Sequence, residues 1–204
     1  MLKKYVVEGK TEEENINKFM EENNFASNEI IVINSEVDNS LFKGKKATTT
    51  FTSKSDLKKF IKEYLITLGN LMNLDINVEL REQEFGYSIQ LICENNSILI
   101  GKEGRTISSI QTLLRQTVES NLNKSVKINI DVANYKENKL KKLEKQVKYI
   151  AKEVLSSKVD VSLDPMNSYE RRMIHNLISN YKDLETESIG EGKERHIVIK
   201  YIGE

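Results

Sequence analysis

Apolar residues recur along most of the chain with the period of a helix or of a strand. Steps of three and four residues, which place apolar side chains on one helix face, occur in four long stretches. These faces are Leu57, Phe60, Ile61, Tyr64, Leu65 and Leu68; Ile107, Ile110, Leu114 and Val118; Leu140, Leu143, Val147, Ile150 and Val154; and Met173, Ile174, Leu177 and Ile178. The alternation typical of half-buried strands occurs at Ile76–Leu80, Tyr87–Cys93, Val126–Val132 and Ile197–Tyr201. The sequence therefore predicts both helices and strands, and we expect an α+β fold.

The first 50 residues predict a small αβ segment. Thr11 and Glu14 form a capping box before a short apolar helix face. A turn is predicted at residues 40–47. A unit of about 50 residues buries little surface, so we expect this segment to dock on a partner or on a second copy. Strands are predicted at residues 5–7, 29–33 and 48–52, of which the first two are expected to pair.

Gly101 and Gly104 form a Gly-x-x-Gly turn directly before a predicted amphipathic helix. Neither residue has a Cβ, so the backbone here can approach a ligand closely. Lys102 and Arg105 place positive charge where a phosphate would lie, whereas Glu103 would repel a phosphate unless it points to solvent. The alternative interpretation is a tight turn between two helices that needs its glycines and binds nothing.

The predicted order of helix, strand, strand, helix, Gly-x-x-Gly turn, helix and strand resembles the K-homology (KH) domain in its bacterial, type II arrangement. The resemblance covers residues 53–133 and includes the string I-G-K-E-G-R-T-I that begins at Ile100. It implies a three-stranded sheet with helices on one face, and a clamp on about four nucleotides between the loop and the sheet. The N–H groups and partial positive charge at the start of the following helix would suit a phosphate. Carried over position by position, the RNA-binding loop is Gly101, Lys102, Glu103 and Gly104, with Arg105 opening the helix.

A second pattern begins after Pro165, which cannot continue a preceding helix. Asn167 or the serine after it can cap the helix that follows. Arg171 and His175 are four residues apart, so both side chains lie on one side of this helix. Two planar, donor-rich groups held together suit a phosphate or the face of an unstacked base.

The string D-P-M-N-S-Y-E-R-R-M-I-H, followed by T-E-S-I-G-E-G-K-E-R, is similar to the R-three-H domain, named for an arginine and a histidine separated by three residues. The resemblance covers residues 137–204 and implies binding of single-stranded nucleic acid. The alternative is that the arginine and histidine only brace the domain. Arg172 lies on a different side of the helix and is a weaker candidate. The implied nucleic-acid-binding residues are Arg171 and His175, with Ser188, Lys193 and Arg195 on the same surface.

Composition and charge narrow the function classes. The chain has 31 Lys and Arg against 31 Asp and Glu, so its net charge is zero, which argues against a general polyanion binder. Local patches must supply any nucleic-acid affinity, with a small salt dependence. No apolar run approaches the roughly 18 residues of a spanning helix, the start lacks a secretory signal, and Cys93 is the only cysteine. These features predict a cytoplasmic protein.

Catalysis has little support in the sequence. The chain has two histidines and one cysteine, without the spacing of metal ligands. Neither a nucleophile elbow nor a Walker-type loop occurs. We expect a binding protein without enzymatic activity, cofactor or metal, and a nucleic-acid-processing enzyme stays as an alternative.

Residues 136–152 contain seven lysines against two glutamates and have the apolar period of a helix. These lysines could follow a phosphate backbone, or they could form the solvated outer face of a helix that packs on the C-terminal sheet. The sequence leaves both interpretations open.

The order of a small N-terminal segment, a KH domain and an R-three-H domain resembles the Jag family of Gram-positive bacteria, also called KhpB or SpoIIIJ-associated proteins. The resemblance implies domains at residues 1–50, 53–133 and 137–204. The family's glycine-rich Phe-Gly turn is only partly kept, at residues 41–46.

The family resemblance implies a cytoplasmic protein that binds single-stranded RNA, with single-stranded DNA left open. It implies a post-transcriptional regulator or RNA chaperone linked to cell elongation, division or sporulation. It also implies a homodimer, or a heterodimer with a small single-KH protein. The alternative function is an adaptor that docks on a membrane insertase or cell-division partner through its N-terminal domain, with RNA binding secondary.

Overall fold

The computed structural model describes residues 1–40 and 44–203, so part of the turn predicted at residues 40–47 lies outside the described residues. The chain divides into two compact units, Met1–Ala133 and Asn134–Glu204. The first unit contains β1 Tyr5–Gly9, α1 Glu12–Asn23, β2 Ile30–Ser40, β3 Gly44–Ser53, α2 Lys54–Leu71, β4 Asn77–Gln83, β5 Gly86–Ile92, α3 Asn96–Ile100, α4 Arg105–Leu122 and β6 Lys127–Val132. The second contains α5 Tyr135–Ser157, β7 Val161–Ser162, α6 Ser168–Ile178, β8 Leu184–Ile189 and β9 His196–Tyr201. The predicted α+β fold is confirmed.

The N-terminal sheet has the order β1-β3-β2, with both pairings antiparallel. The expected pairing of residues 5–7 with the strand at 29–33 is therefore wrong, since β1 pairs with β3 and Val7 lies opposite Thr49. The reason is the burial of β3, in which Ala47, Thr49 and Phe51 are fully buried, whereas α1 packs on β1 as well as on β3. Phe51 of β3 is fully buried and stacks on Phe19 of α1, with 4.8 Å between ring centroids. A strand buried in this way takes the central position, and the two other strands become edges.

The end of β3 leads directly into α2. Ser53 is the last residue of β3 and also the N-cap of α2, where its Oγ accepts a hydrogen bond from Asp56 N at 3.0 Å. Tyr5 Oη donates to Asp56 Oδ2 at 3.0 Å. Leu2 and Ile33 are buried in the same hydrophobic core as α2 and the sheet that follows it. The N-terminal segment therefore packs on the module that carries the Gly-x-x-Gly turn.

The order α2-β4-β5-α3-α4-β6 agrees with the predicted succession of elements. The sheet order is β4-β5-β6, with β4 antiparallel and β6 parallel to β5. A parallel pair needs a crossover connection, and here α3, the glycine turn and α4 form it. Alternate residues of β5 and one face of α4 meet in the core: Tyr87, Ile89 and Leu91 from the strand, and Ile107, Ile110, Leu114 and Val118 from the helix.

The second unit has a three-stranded sheet of order β7-β9-β8, all antiparallel. Its shortest strand, β7, was not predicted, because two residues are too few to show a period. Helices α5 and α6 pack on this sheet.

In neither unit does the structure describe a helix that is both long and apolar enough to cross a bilayer. In the second unit, the apolar faces of α5 and α6 are part of the core. The core consists of Val147, Ala151, Val154, Ile174, Ile178, Leu184, Ile197 and Ile199.

Replacing Ile174 by alanine is expected to destabilise the second unit alone. The side chain is fully buried, and truncating a buried isoleucine costs about 2–5 kcal/mol because a cavity remains. Native-state amide hydrogen exchange should show reduced protection within Asn134–Glu204 and unchanged protection within Met1–Ala133. Leu114→Ala, which truncates a fully buried residue of the first unit, should give the reverse pattern. Equal loss in both units would contradict the division.

Candidate nucleic-acid interface

The Gly-x-x-Gly turn has a backbone that requires glycine at its first position. Gly101 has φ 68° and ψ −179°, a combination essentially limited to glycine. A Cβ on Gly101 would lie 2.1 Å from Thr106 Oγ1. Glu103 and Gly104 follow with φ 56° and 81°, both left-handed. Three of the four residues from 101 to 104 thus have positive φ. This backbone ends α3 and leads into α4.

The charged side chains of this turn point outward. Lys102 is exposed and makes no ion pair within the described residues. Arg105 Nη2 lies 3.7 Å from Glu103 Oε2, and both side chains are more than half exposed. Glu103 therefore faces solvent beside Arg105, whose positive charge offsets the repulsion between Glu103 and a phosphate bound at the turn. No side chain caps the N-terminus of α4, so its partial positive charge lies next to Lys102.

In the second unit, three side chains from three parts of the chain meet. Arg171 of α6 donates from Nη1 to Ser188 Oγ of β8 at 2.9 Å. Arg195, which precedes β9, donates from Nε to the same oxygen at 3.1 Å. Neither arginine makes an ion pair with a carboxylate in the described part of the chain. Arg171 Nε is buried without a hydrogen-bond partner. Two guanidinium groups therefore converge on one neutral hydroxyl.

His175 lies one helical turn beyond Arg171 and shares a hydrogen bond with Thr186 through Nδ1. The four residues from Arg171 to His175 rise about 6 Å along a helix. The two residues from Thr186 to Ser188 span about 6.6 Å along a strand. Because these lengths nearly match, one helix face and one strand face make two side-chain contacts in register. We call Arg171, His175, Thr186, Ser188 and Arg195 the arginine cluster.

A glycine turn returns the chain from β8 to β9 so that Arg195 reaches the cluster. Gly190 has φ 86°, and a Cβ there would lie 2.7 Å from Glu194 O. Lys193 is exposed at the tip of this turn and is not hydrogen-bonded to the cluster. Arg172 is exposed on another side of α6. Of the candidates named from the sequence, Arg171, Ser188 and Arg195 are in contact, His175 is adjacent, and Lys193 stands apart.

The start of α6 is held by a capping box. Asn167 Oδ1 accepts from Glu170 N at 3.0 Å, and Glu170 Oε2 accepts from Asn167 N at 3.2 Å, so Asn167 is the cap. The other oxygen of Glu170, a buried carboxylate, lies 2.6 Å from Lys139 Nζ of α5. This buried acid therefore fixes the helix one residue before Arg171.

Thr186 is the member of the cluster that sequence reasoning missed. It lies two residues before Ser188 on β8, so both side chains point to the same face of the sheet. That alternation, matched to the four-residue step in α6, is a signal that could have found it. No group of three or more His, Cys, Asp or Glu side chains forms a metal-binding arrangement among the residues that the structure describes.

Gly101→Ala is expected to lower the free energy of unfolding of the first unit by about 3 kcal/mol, from backbone strain and from the clash with Thr106. Gly192→Ala is the control, because Gly192 also has positive φ, 54°, but has open space around its Cβ position. It should cost only about 1–2 kcal/mol. Denaturant unfolding, with hydrogen exchange to assign each unit, measures both. Equal costs would mean that Thr106 yields freely.

Thr186→Val is expected to remove the hydrogen bond at Nδ1 of His175. It should lower the free energy of unfolding by about 1 kcal/mol, the net value of one hydrogen bond. His196 is an internal control, since its Nδ1 donates to Glu194 O at 2.8 Å and is untouched by the substitution. Imidazole nitrogen chemical shifts should move for His175 and stay constant for His196. Unchanged His175 shifts would show that the contact with Thr186 is absent in solution.

Two family models match the chain. Residues 58–130 match the KhpA/KhpB KH domain, and residues 141–201 match the R-three-H domain. The first range contains the Gly-x-x-Gly turn, and the second contains the arginine cluster.

Three similar proteins are all called RNA-binding protein KhpB. The protein from Clostridium symbiosum is 39% identical over 139 residues, which are 67% of this chain and 63% of that protein. The protein from Bacillus subtilis is 29% identical over 163 residues, covering 79% of this chain and 78% of the relative. The protein from Lactiplantibacillus plantarum is 30% identical over 132 residues, covering 65% and 40%. The matched part thus spans less than two thirds of the C. symbiosum and L. plantarum proteins. With a KhpA/KhpB-type KH domain followed by an R-three-H domain, the chain belongs to the KhpB (Jag) family.

Proposed function

We propose that this chain binds single-stranded RNA through the Gly-x-x-Gly turn and the arginine cluster. The observation that carries the proposal is the convergence of Arg171 and Arg195 on Ser188 Oγ, while neither arginine forms an ion pair with a carboxylate among the described residues. Structural arginines are commonly paired with acids, and this chain has as many acids as bases. Two guanidinium groups that share only one neutral hydroxyl keep positive charge that can bind an external anion.

A phosphate group suits this cluster. A guanidinium offers planar, paired N–H donors that match two phosphate oxygens. The hydroxyl of Ser188 can also turn to donate to such an oxygen. His175, one turn along α6, is suited to contact the adjacent sugar or base. The proposed nucleic-acid contacts here are Arg171, His175, Ser188 and Arg195, with Lys193 as an outer cation.

The Gly-x-x-Gly turn would bind a second stretch of the same strand. Backbone N–H groups at the start of α4, together with Lys102, would meet a phosphate there. Glu103 and Arg105 would stay at the rim. Bases would then lie toward the sheet, as in KH recognition of about four nucleotides. Two weak sites joined in one chain raise the overall affinity without any new contact.

The finer functional proposals rest on family membership. We propose three modules, at residues 1–50, 53–133 and 137–204, in a cytoplasmic, non-enzymatic post-transcriptional regulator or RNA chaperone linked to cell elongation, division or sporulation. Pairing with itself or with a small single-KH protein belongs to the same proposal. Single-stranded DNA stays open, because only a contact to the 2′-hydroxyl separates the two nucleic acids.

The adaptor alternative has one structural argument in its favour. β2 is an edge strand of the N-terminal sheet, from Ile30 to Ser40, and edge strands offer unpaired backbone groups to other chains. An insertase or division partner could bind there. An adaptor of this kind would keep its role without RNA affinity.

Arg171→Ala is expected to weaken binding of single-stranded RNA about 10- to 100-fold, since hydrogen bonds between charged groups contribute about 1.5–3 kcal/mol. The slope of log affinity against log salt should fall by about 0.7 for each phosphate that the variant no longer neutralises. Gly104→Asp should also weaken binding, because it places a carboxylate in the turn, and aspartate tolerates the left-handed φ of 81° there. Fluorescence anisotropy with labelled RNA measures both variants.

Arg172→Ala is the matched control for Arg171→Ala. It removes the same charge from the next residue of α6, where the side chain is exposed and outside the cluster, so the affinity should change little. Circular dichroism checks that each variant is folded. Equal effects of the two arginine variants would mean that RNA affinity depends on total charge and not on the arginine cluster. Absence of RNA binding by the unchanged chain would exclude the proposal and leave the adaptor.

A further inference from the structure

Four exposed side chains form a line along the outer face of α5: Lys142, Lys145, Tyr149 and Lys152. At 3.6 residues per turn they lie within about 80° of one another around the helix axis. Their face is opposite the one that carries the fully buried Val147, Ala151 and Val154. We call these four residues the α5 stripe. Its length is about 15 Å, from the helical rise of 1.5 Å per residue.

The stripe differs from the flank of the same helix in its charge pairing. On the flank, Lys141 lies 2.5 Å from Glu137, and Lys148 lies 2.6 Å from Glu144. These hydrogen bonds lower the pKa of both glutamates. In contrast, the three lysines of the stripe make no ion pair within the described residues. Glu153, an exposed acid of the same helix, directly follows Lys152 at the C-terminal end of the stripe. The flank lysines are therefore paired with glutamates of the same helix, whereas the stripe lysines have no such ion pairs among the described residues.

Tyr149 is the second unusual feature of the stripe. Its residue surface is 71% exposed, and its ring makes neither an aromatic nor a cation–π contact in the described part of the chain. It lies between Lys145 and Lys152. An exposed aromatic ring between cations is the arrangement that proteins use for single strands, in which bases stack on the ring and phosphates meet the lysines.

The N-terminal part of α5 contacts the start of α6, the helix that carries Arg171. Lys139, three residues before Lys142, contacts Glu170 at the start of α6 at 2.6 Å. Arg171 is the next residue. A strand that leaves the cluster toward the start of α6 would therefore meet α5 at the end where the stripe begins.

We propose that the α5 stripe is an additional contact surface for the single-stranded RNA bound by the arginine cluster, with lysines on the phosphates and one base stacked on Tyr149. The proposal rests on the proposed RNA-binding function and extends it to a surface outside the two named motifs. An anionic membrane fits less well. A membrane-surface helix inserts an apolar face, and the apolar face of α5 is already buried in the domain core.

Charge removal on the full chain tests the lysines. Lys142→Gln with Lys145→Gln should lower the slope of log affinity against log salt by about 1.4, since each neutralised phosphate on a single strand contributes about 0.7. Lys141→Gln with Lys148→Gln is the matched control, with the same helix and the same loss of charge but with lysines that already have carboxylate partners. The control should keep the slope of the unchanged chain.

The aromatic contact is tested separately. Tyr149→Leu should weaken RNA binding at least about fivefold, the low end for a base stacked on an aromatic ring. Tyr149→Phe keeps the ring and should bind as the unchanged chain does. Crosslinking with RNA that contains a photoreactive uridine should label the α5 peptide that contains Tyr149.

The outcomes separate this inference from the proposed function. If Arg171→Ala weakens binding while the stripe variants behave like their controls, the stripe is only a solvated face and the inference is wrong. If the unchanged chain binds no RNA, both proposals fail. Binding of phosphatidylglycerol vesicles that depends on the stripe, with an unchanged RNA salt slope, would assign the surface to membranes and also overturn the inference.

Discussion

The arginine cluster depends on two cations held near one hydroxyl. Arg171 Nη1 and Arg195 Nε each lie about 3 Å from Ser188 Oγ, so these two nitrogens are at most about 6 Å apart. Two unit charges at that distance repel by about 1–3 kcal/mol at effective dielectric constants between those of water and a protein surface. Among the described residues, no carboxylate forms an ion pair with either guanidinium to offset this repulsion. An anion between the two groups would replace repulsion by attraction, which is the physical basis of the proposed phosphate site.

The cluster and the Gly-x-x-Gly turn reach positive potential by different means in a chain of zero net charge. The cluster uses side chains, and its geometry depends on the register of α6 on β8 and on the buried carboxylate of Glu170 that fixes the start of α6. The turn uses backbone, since Gly101 and Gly104 lead the chain into α4 with positive φ, and no side chain caps the start of that helix. The α5 stripe follows a third route, in which acids are placed on the flank and omitted from the outer line. Positive charge is thus concentrated locally by the placement of residues, and not by an excess of basic residues in the chain.

Several parts of the structure could be predicted because their causes are local. The four-residue step from Arg171 to His175 puts both on one side of α6, whatever the helix packs against. The alternation of Tyr87, Ile89 and Leu91 marks the buried face of β5. Other parts depend on distant residues. The pairing of β1 with β3 follows from the burial of Phe51 against Phe19, and the contact of Thr186 with His175 needs the register of a helix on a strand. The strand β7 has two residues and exists through its pairing with β9.

The sequence by itself determined the helices, most strands, the glycine turn and the two motifs, because periodicity, capping and φ preferences act within a few residues. Tertiary structure decided which charged groups far apart in the chain come together. Arg171 and Ser188 are 17 residues apart, and Ser188 and Arg195 are 7 apart, yet the three meet at one oxygen. Within α5, the pairs Lys141–Glu137 and Lys148–Glu144 follow from a local four-residue spacing, whereas the pairing of Lys139 with Glu170 of α6 needs the fold. The reason is that a Coulomb interaction depends on distance and solvent exposure, and both are set by the packed fold.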